Sequence, residues 1–506
     1  MMMHPLAKKS QDQRSSVFPS KGINGRLISI YAAAILFANK LSKSIVLLLV
    51  VIPLFAIASG QNENRTLLSI SDVHFNPFCD TLIVKQLVQT SYDRWDTVFT
   101  KSKVRTVSAY GQDTNLPLFE LLLQALNKQS EGASAILFTG DMLVHNFNML
   151  FSKYTGINSK QEQSKFIYKT LGYISMRLRQ TFPDLPIYFS LGNNDSYTGD
   201  YAIDDKGKFL SETADLFFNN FIKGKSNSAK IRTEKSDFYS TYPIHGYYNV
   251  NSPVLAQSRI IGLNTVFFST NYALTGQNNP GDDELIWLKK QLAAAEKAKE
   301  KVWLLLHIPP GVNVFTTQRN STSEKVNITM HWKNSYNEKF LELVRRYHAT
   351  ITVLFAGHIH MDDFRLIYSD DKNNKPLAFI HIIPSVAPCF GNNPAFQRIR
   401  FNVRSGALTE SITYNANLKD TNPDFKEAYV FTSTYKSMPD LTGLQHLYPS
   451  LLNDTVRLNN YIVHYSGSST ATGIQNYWQW YWCGIGNLTP EEFTKAYLNL
   501  KQPLQK

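Results

Sequence analysis

Residue types that commonly bind metals recur directly after apolar, strand-like segments of this 506-residue chain. In the clearest case the apolar residues 351–356 lead into Gly357, and two histidines, His358 and His360, follow. An open α/β sheet places its ligand site at the carboxyl ends of its strands, so side chains that follow several such strands should meet at one edge. Four earlier segments end in the same way and supply Asp72 with His74, Asp141, Asn193 with Asn194, and His307.

The donor types in this set favour a pair of divalent cations. Imidazole and carboxylate groups bind zinc, manganese or iron. Two ions that share a carboxylate stabilise the attacking and leaving oxygens of a phosphoryl transfer from about 3.5–4 Å apart. The pattern therefore predicts hydrolysis of a phosphate ester or anhydride. The candidate ligands are more than one tetrahedral ion needs: Asp72, His74, Asp141, Asn193, His307, His358 and His360.

Predicted strands and helices alternate around these residues. The alternation indicates an α/β fold built in layers. Asp282 is placed to cap one of the helices. The predicted strands cover 66–71, 135–139, 186–191, 259–264, 302–306, 351–356 and 377–383, and the predicted helices cover 116–128, 165–180, 282–301 and 335–348.

The sequence changes character near residue 398, and we predict a catalytic domain over 62–398 with a C-terminal cap region over 399–506. Residues 398–403 and 410–415 are expected to pair as strands before an aromatic-rich tail. Near the end, Thr489 and Glu492 have the spacing of a capping box with Pro490 at the first helical position. Residues 196–240 form a long polar insertion without a readable signature.

Composition and charge exclude several classes of protein. Hydrophobic residues make up 43% and charged residues 18%, which suits a globular protein with a large core. Half of the formal charge of +12 lies in residues 1–58, and no basic tract follows, so no nucleic-acid partner is expected. Cys79, Cys389 and Cys483 allow at most one disulfide and lack the C-x-x-C spacing of a zinc finger.

The N-terminal segment 1–58 has the features of a secretory signal, with an uncleaved membrane anchor as the alternative. Lys40 and Lys43 precede an apolar stretch that ends in a small-x-small pattern, so cleavage is expected after Ala58. That stretch is shorter than the roughly 20 residues that span a bilayer. We therefore predict an exported protein (secreted, periplasmic or lumenal) that contacts a membrane only if this segment stays attached.

The ordered strand ends resemble those of the calcineurin-like metallophosphoesterases. Four segments are similar to motifs of one branch, the acid sphingomyelinase-like phosphodiesterases: residues 72–77, 140–145, 307–311 and 384–394. Residues 111–117 are also similar, with Thr114 and Asn115 in place of Cys and Asp. The resemblance covers about 66–400, and more loosely the rest. It implies a four-layer α/β/β/α sandwich.

The resemblance also implies a role for each candidate ligand. One ion would be bound by Asp72, His74 and His360, the other by Asn193, His307 and His358, with Asp141 as the bridge. Zinc is the usual ion in exported members, with manganese or iron as alternatives. The two ions would lower the pKa of a bridging water, and the resulting hydroxide would attack phosphorus in line.

One departure from the family bears directly on catalysis. The third motif reads Gly-Asn-Asn-Asp, as in endopolyphosphatases, where the family commonly has Gly-Asn-His. Asn194 can donate a hydrogen bond to a phosphate oxygen, but it cannot supply a proton. The resemblance gives the role of general acid to His145, four residues after Asp141. It also suggests three substrate contacts, namely His245, Asn392 and Asn393.

Three functions are compatible with these patterns. The first is an exported phosphodiesterase acting on a small phosphodiester, a nucleotide or a phospholipid head group. The second is an endopolyphosphatase or nucleoside-triphosphate hydrolase, which Asn194 favours because a leaving phosphate needs less help from an acid. The third is a non-enzymatic metal-binding remnant of the fold, which the complete ligand set disfavours.

Overall fold

The computed structural model describes residues 64–223, 229–251, 254–255, 257–272, 279–322, 325–370, 375–470 and 472–501. Within this part of the chain the strands pair into two mixed sheets. In chain order the strands are β1 (Asn64–Ile70), β2 (Ala133–Phe138), β3 (Ile187–Phe189), β4 (Tyr248–Asn251), β5 (Ser258–Gly262), β6 (Lys301–Leu305), β7 (Ile351–Ala356), β8 (Asp363–Tyr368), β9 (Pro376–Ile382), β10 (Ala395–Asn402), β11 (Leu408–Ala416) and β12 (Phe425–Val430).

The first sheet has the strand order β12-β11-β10-β1-β2-β3. Strands β1, β2 and β3 run parallel, whereas β10, β11 and β12 are antiparallel to their neighbours. The parallel strands are buried along most of their length, as the apolar sequences of β1 and β2 predict. Their carboxyl ends therefore lie side by side at one edge of the sheet.

The second sheet has the order β4-β5-β6-β7-β9-β8. Strands β5, β6, β7 and β9 are parallel, and the antiparallel strands β4 and β8 form its edges. Parallel neighbours need a crossover connection. Helices supply this between β5, β6 and β7, so the carboxyl ends of β6 and β7 also lie side by side.

Helices lie on both sides of the two sheets. In chain order they are α1 (Val84–Gln89), α2 (Trp95–Phe99), α3 (Leu116–Gln129), α4 (Phe147–Thr155), α5 (Lys160–Thr181), α6 (Lys208–Phe217), α7 (Ala229–His245), α8 (Pro280–Ala298), α9 (Val314–Asn320), α10 (Asn334–Arg346), α11 (Phe431–Tyr435), α12 (Leu441–Ser450), α13 (Thr455–Tyr465), α14 (Trp478–Gly486) and α15 (Pro490–Lys501). Short 3-10 turns occur at Tyr92–Arg94, Thr265–Phe268 and Ile474–Asn476, and a π-helical turn occurs at Phe218–Ile222.

Aromatic side chains join the two sheets face to face. The Trp303 indole of β6 lies edge-on to Phe401 of β10, with ring centroids 5.0 Å apart. It also donates a hydrogen bond to the Gly406 carbonyl at 3.1 Å. On the other side of the interface, the Tyr248 hydroxyl of β4 donates to the Phe189 carbonyl of β3 at 2.7 Å. These hydrogen bonds satisfy the polar atoms of large buried rings, and together with the ring contact they fix the position of one sheet relative to the other.

Most predicted elements are confirmed, and the α/β fold with them. Helix α3 begins where the apolar spacing predicts, and its N-cap residue Asn115 accepts a hydrogen bond from the Leu118 amide at 3.1 Å. The capping box is also present, since Thr489 and Glu492 accept from each other's backbone amides at 3.3 and 3.2 Å. The cap predicted at Asp282 is wrong. Helix α8 begins two residues earlier, and the Asp282 carboxylate instead pairs with Lys339 at 2.8 Å.

The polar insertion contains helices that were not predicted from its sequence. Helices α6 and α7 place Phe217 and Tyr242 against Phe189 of β3, with ring centroids 5.0 and 5.7 Å apart. The buried residues of α6, among them Phe209, Leu210, Ala214 and Phe217, do have helical spacing, so this helix could have been found from the sequence. The many polar residues of the segment and the π-helical turn after α6 obscured it.

The C-terminal region divides into two parts. The predicted pair of strands is confirmed as β10 and β11, and these strands complete the first sheet. The predicted boundary at 398/399 falls inside β10. Helices α12 and α14 then pack on β8 and β9 of the second sheet. The division into a catalytic domain and a cap stays a prediction.

The signal or anchor expected at residues 1–58 lies outside the described residues. Among the described helices, none combines the length and the apolar character needed to cross a bilayer. The three cysteines form no disulfide, with Cys79 exposed, Cys389 partly buried and Cys483 buried.

Candidate metal centre

The predicted ligands meet where the two sheets adjoin. In the first sheet Asp72 and His74 follow β1, Asp141 follows β2, and Asn193 follows β3. In the second sheet His307 follows β6, and His358 with His360 follows β7. Both sets stand at carboxyl ends of neighbouring parallel strands, which is where this class of fold binds ligands.

One half of the cluster joins His74, His360 and Asp72, and we call it the His74 half. Its two imidazoles face each other with the Nε2 atoms 3.3 Å apart. The Oδ1 atom of Asp72 lies 3.3 Å from His360 Nε2 and 3.9 Å from His74 Nε2. A carboxylate of the other half is close as well, since Asp141 Oδ2 lies 3.4 Å from His74 Nε2.

The other half joins His307, Asn193 and His358, and we call it the His307 half. His307 Nε2 lies 3.0 Å from Asn193 Oδ1 and 3.3 Å from Asp141 Oδ2. The His358 ring stands edge-on to the His307 ring, with centroids 5.1 Å apart. Because the same Asp141 oxygen approaches His74 and His307, this carboxylate lies between the two halves as the predicted bridge requires.

The backbone is held in a costly conformation at these positions. Five of the seven predicted ligands have positive φ although none is glycine, namely Asp72, His74, Asp141, His358 and His360. Non-glycine residues in this region cost on the order of 1–3 kcal/mol each, and such residues concentrate at functional sites. The strain indicates that side-chain placement here is maintained against local backbone preference.

Buried hydrogen bonds fix the orientation of the imidazoles. His74 Nδ1 contacts the Leu143 carbonyl at 2.9 Å, and His307 Nδ1 contacts the Thr139 carbonyl at 2.6 Å. A carbonyl accepts only from N–H, so each Nδ1 carries a proton, which leaves Nε2 as the nitrogen that can bind a cation. These contacts select the tautomer that a metal ligand needs.

Asp195 is a structural carboxylate that our reading of the sequence left without a role. Its oxygens accept hydrogen bonds from the backbone amides of Asp141, Met142 and Gly192 at 2.9, 2.8 and 2.9 Å. It therefore ties the loop after β2 to the loop after β3. The signal was its place at the end of the Gly-Asn-Asn-Asp motif.

Asp200 and Tyr201 were also missed, because they lie in the polar insertion. Asn193 Nδ2 donates to Asp200 at 2.6 Å, which turns the amide oxygen of Asn193 toward His307. The Tyr201 hydroxyl lies 3.4 Å from His358 Nε2. The insertion thus supports the His307 half from outside.

The donor set fits two divalent cations. Bonds of about 2.0–2.2 Å from a tetrahedral ion separate its ligand atoms by roughly 3.3–3.6 Å. The donor pairs on each side of Asp141 are 3.0–3.9 Å apart. Asp72, His74, His360 and Asp141 would hold one cation, and Asn193, His307 and Asp141 would hold the other. The distances above do not include His358, which its ring contact with His307 places beside this second set.

The two carboxylates respond differently to burial. Burial raises the pKa of Asp72 to about 7, and the nearby His307 counteracts this only in part. Burial acts in the same direction on Asp141, but His307 and His74 outweigh it and hold the pKa of Asp141 well below its usual range. An ionised carboxylate between two groups of imidazoles is suited to bridge two cations.

Burial also shifts the pKa values of the histidines. It lowers the pKa of His74 to about 4, and it holds the pKa values of His358 and His360 well below their usual range. Burial opposes charge on His307 too, but Asp141 prevails and raises the pKa of His307 to about 9. Ligating histidines must be neutral, so a cation at this position would displace that proton.

His145, the predicted acid, lies against the His74 half. Its ring stacks on the His74 ring with centroids 4.0 Å apart, and its Nδ1 lies 2.7 Å from Asp113 Oδ1. Burial lowers the pKa of His145, but the hydrogen bond and the charge of Asp113 outweigh it and raise that pKa above its usual range. Asp113 lies in the segment 111–117 that pointed to the family, but it had no predicted role.

Asn194 has a defined contact that differs from its predicted one. Its backbone amide donates to Asp141 Oδ1 at 2.8 Å, and its side-chain amide donates to Asp141 Oδ2 at 2.9 Å. A primary amide carries two N–H donors. The contact with Asp141 uses one, and the predicted contact with a phosphate oxygen would use the other.

The three predicted substrate contacts lie farther out. His245 Nδ1 contacts Asp205 at 2.6 Å, and its ring stacks on Tyr247. Asn392 Nδ2 donates to the Ala387 carbonyl at 3.0 Å, and Asn393 Nδ2 donates to the Gly467 carbonyl at 2.9 Å. Among the described residues, none of the three forms a hydrogen bond with a predicted metal ligand, and their contact with substrate stays a prediction.

An aromatic cavity of about 300 Å³ adjoins the His307 half. His358, His331 and Tyr201 form its side toward the cluster. Apolar and aromatic side chains dominate the rest, among them Phe315, Phe390, Ile359, Met361, Ile474 and Tyr481. Ligand pockets with mostly apolar walls and a few polar groups bind organic molecules.

Two mixed sheets that converge on a cluster of histidine, aspartate and asparagine side chains define a metal-dependent phosphoesterase. A profile described as Calcineurin-like phosphoesterase matches residues 65–362, which is more than half of the chain. The chain belongs to the calcineurin-like phosphoesterase family. It is an enzyme of the phosphoesterase hydrolase class.

Relatives in this family are named as phosphodiesterases. The chain is 28% identical over 458 residues to Sphingomyelinase phosphodiesterase D of Dictyostelium discoideum, covering 83% of this chain and 92% of that protein. It is 25% identical to Acid sphingomyelinase-like phosphodiesterase 3b of Homo sapiens, covering 71% and 74%. It is 27% identical to Cyclic GMP-AMP phosphodiesterase SMPDL3A of Mus musculus, covering 64% and 67%. The resemblance to the acid sphingomyelinase-like phosphodiesterases is confirmed.

Solved structures with a similar fold are more distant. A structure titled PhoD is 11% identical, with a TM-score of 0.41, over 75% of this chain and 70% of that one. A dimetal phosphatase from Danio rerio is 12% identical, with a TM-score of 0.36, over 69% of this chain and 95% of that one.

Proposed function

We propose that this protein is an exported phosphodiesterase that uses two divalent cations to hydrolyse a small organic phosphodiester. The observation that carries the proposal is the convergence of two ligand groups on Asp141, with His74 Nε2 and His307 Nε2 at 3.4 and 3.3 Å from the same oxygen. The acid His145 stacks directly on one of these groups. The names of the relatives agree with action on a phosphodiester.

Two cations bound at this centre would supply an activated water near neutral pH and would neutralise charge on the phosphoryl oxygens. Asp141 keeps the two ligand groups at a fixed separation, and Asn194 holds both oxygens of Asp141 through its two amide contacts. The second N–H of the Asn194 side chain can donate to an equatorial phosphoryl oxygen. Zinc is the proposed ion because histidine predominates among the ligands.

His145 is the proposed source of the proton for the leaving oxygen. Its Nδ1 is engaged by Asp113, so Nε2 is the nitrogen that carries the transferable proton. Asp113 also stabilises the charged imidazolium, which keeps His145 protonated at a higher pH than a free imidazole. A protonated imidazole beside the cluster suits a leaving alkoxide, which needs a proton as its bond to phosphorus breaks.

The aromatic cavity favours a substrate with an organic group. A volume of about 300 Å³ lined by Phe315, Phe390 and Tyr481 can hold part of a nucleoside or a head group. Arg365 also lines the cavity, but its guanidinium is paired with Asp363. The cavity lies beside His358, so a phosphodiester at the cluster could extend one of its substituents into it.

Hydrolysis of polyphosphate or a nucleoside triphosphate is a second candidate. It is favoured by Asn194, which stands at a position next to Asn193 where a proton donor is common in the family. A phosphate leaving group needs less assistance from an acid than an alkoxide does. Turnover of polyphosphate, ATP, a dinucleotide and sphingomyelin, measured with one enzyme preparation, separates the two candidates.

Export is proposed from the sequence of residues 1–58 and from the surface positions of glycosylation sequons. Asn64, Asn320 and Asn453 each begin an Asn-x-Ser/Thr sequence and are exposed. Expression of the full chain in a eukaryotic secretory host should yield a protein that starts near Ser59 and carries glycans. Intact mass and N-terminal sequencing measure both, and a cytosolic protein that keeps residues 1–58 would contradict export.

The central test is metal-dependent hydrolysis of bis-p-nitrophenyl phosphate. Protein stripped with a chelator should lose activity and regain it when two equivalents of zinc, manganese or cobalt are added. Metal analysis of the reactivated protein should give close to two ions per chain. Activity that survives complete removal of metal would overturn the proposal.

A further inference from the structure

A second group of metal-ligating side chains lies beside the candidate metal centre. Asp113, His145 and Cys389 each offer a ligand atom, and these three atoms lie within 4.8 Å of one another. They come from three separate segments: the loop before α3, the loop after β2 and the loop between β9 and β10. We call this group the Cys389 cluster.

The composition of the cluster differs from that of the predicted centre. Thiolate, imidazole and carboxylate are all zinc ligands, and three protein ligands with one open position is a common zinc arrangement. Thiolate in addition selects thiophilic cations such as zinc or cadmium over magnesium and calcium. The seven predicted ligands of the candidate centre contain no sulfur.

We propose that the Cys389 cluster binds one further thiophilic divalent cation and that this cation inhibits the enzyme by removing His145 from proton transfer. The binding of the cation stands on the geometry of the cluster alone. The inhibition rests on the proposed function of His145. Excess zinc would thus act as an inhibitor of an enzyme that uses zinc.

The binding step balances without any redox partner. The cation forms a bond with Cys389 Sγ, and the thiol proton passes to solvent. It forms a second bond with a ring nitrogen of His145, and a protonated imidazole gives up one proton to solvent in doing so. A carboxylate oxygen of Asp113 completes the protein ligands. His145 can then no longer act as an imidazolium donor.

The structure provides access to the cluster apart from the predicted ligands. A cavity of about 680 Å³ is lined by Asp113 and His145, together with Cys79 and Asn76. Cys389 lies in the loop between β9 and β10, and its Sγ lies 3.3 Å from His360 Nδ1. Asp113 and His145 line the cavity and Cys389 does not, so a cation that enters here would meet the carboxylate and the imidazole before the thiol.

Cobalt spectroscopy tests the binding directly. Full-length protein is stripped, loaded with two equivalents of zinc and titrated with cobalt(II). A thiolate bound to cobalt gives a charge-transfer absorption that oxygen and nitrogen ligands do not give. We expect the band to saturate at about one equivalent in the wild type and to be lost in Cys389→Ser. Cys79→Ser is the matched control, because Cys79 is an exposed thiol that lines the same cavity, and it should keep the band.

Inhibition is measured separately. Zinc beyond two equivalents should inhibit the wild type, and Cys389→Ser should raise the inhibitory concentration by about tenfold or more, since losing even a supporting residue of a metal site costs about 10–100-fold in affinity. Each inhibitory concentration is read relative to that protein's own rate with two equivalents of zinc, so a change in the basal rate of Cys389→Ser does not enter the comparison. If zinc inhibits both proteins equally while the cobalt band behaves as expected, the cation binds but does not act on His145.

A third measurement does not depend on a folded variant. In the wild type, a third equivalent of zinc should protect Cys389 from alkylation by iodoacetamide, and mass spectrometry identifies the modified thiols. Absence of the cobalt band in the wild type, or equal alkylation of Cys389 with two and three equivalents, would overturn the proposed site. Both readouts work even if no phosphodiester tested is a substrate, so this failure is distinct from failure of the proposed function.

Discussion

The two halves of the candidate metal centre have different surroundings. The His74 half is contacted by further titratable side chains: His145 stacks on His74, Asp113 contacts His145, and Cys389 contacts His360. The His307 half opens onto the aromatic cavity through His358. This difference suggests a division of labour, in which one side serves the leaving oxygen and the other side accepts an organic part of the substrate.

The largest effect is expected from Asp141→Asn, because the Asp141 carboxylate approaches both halves. Replacing its charge by an amide should reduce the bound metal and lower kcat/KM by about 10³-fold or more, since cations contribute several kcal/mol of transition-state stabilisation. Metal analysis and hydrolysis of bis-p-nitrophenyl phosphate measure these effects. Asp184→Asn, at an exposed carboxylate, is the matched control. A variant that keeps two ions and most of its activity would show that the halves do not share Asp141.

The second-largest effect is expected at His145, which stacks on the His74 half only. His145→Gln should lower kcat by about 10²- to 10⁴-fold for a diester with an alkoxide leaving group. It should change hydrolysis of bis-p-nitrophenyl phosphate far less, because p-nitrophenolate leaves without a proton. Metal content should stay the same. His348→Gln, at an exposed histidine, is the control. Equal losses on both substrates would mean that His145 positions the centre and does not supply the proton.

The sequence revealed the seven ligands more readily than the residues that orient them. The seven ligands follow buried strands, so apolar runs that end in polar residues revealed them together with most of the two sheets. The residues that orient them were less visible. Asp200 and Tyr201 lie in a polar insertion, away from the apolar runs whose ends marked the ligands. Asp113 meets His145 only after folding brings distant loops together.

The contact between Cys389 and His360 and the aromatic cavity could not be predicted from the sequence, for the same physical reason. Cys389 and His360 are 29 positions apart, and the cavity combines α9 with residues near the end of the chain. Such arrangements depend on tertiary packing and leave no local period or spacing. Asp195 is an intermediate case, since its motif was visible but its bonds to four backbone amides were not.

A pH profile tests whether His145, held by Asp113, is the acid. Asp113 raises the pKa of His145, so the acid stays protonated, and active, to a higher pH than it otherwise would. Asp113→Asn removes the charge, lowers that pKa and should move the alkaline limb of kcat/KM to lower pH. The measurement is kcat/KM against pH for a diester with an alkoxide leaving group. Asp93→Asn, at an exposed carboxylate, should leave the limb in place. An unchanged limb in Asp113→Asn would assign the limb to another group.

The smallest effect should come from the cavity side. Phe315 is about half exposed, lines the cavity and lies edge-on to Phe390, with ring centroids 6.3 Å apart. Phe315→Ala removes an aromatic contact worth about 1 kcal/mol, so kcat/KM for a diester with a large organic substituent should fall by roughly five- to tenfold. Methyl p-nitrophenyl phosphate, which cannot fill the cavity, should be hydrolysed at nearly the wild-type rate.

The ratio of these two rates is the informative quantity, because it cancels any general loss of active protein. Leu82→Ala, which truncates an exposed apolar residue, should leave the ratio unchanged. A ratio that is also unchanged in Phe315→Ala would mean that the organic substituent does not enter the cavity. The substrate would then be oriented by the cluster and His145 alone, and the second candidate, hydrolysis of polyphosphate or a nucleoside triphosphate, would gain support.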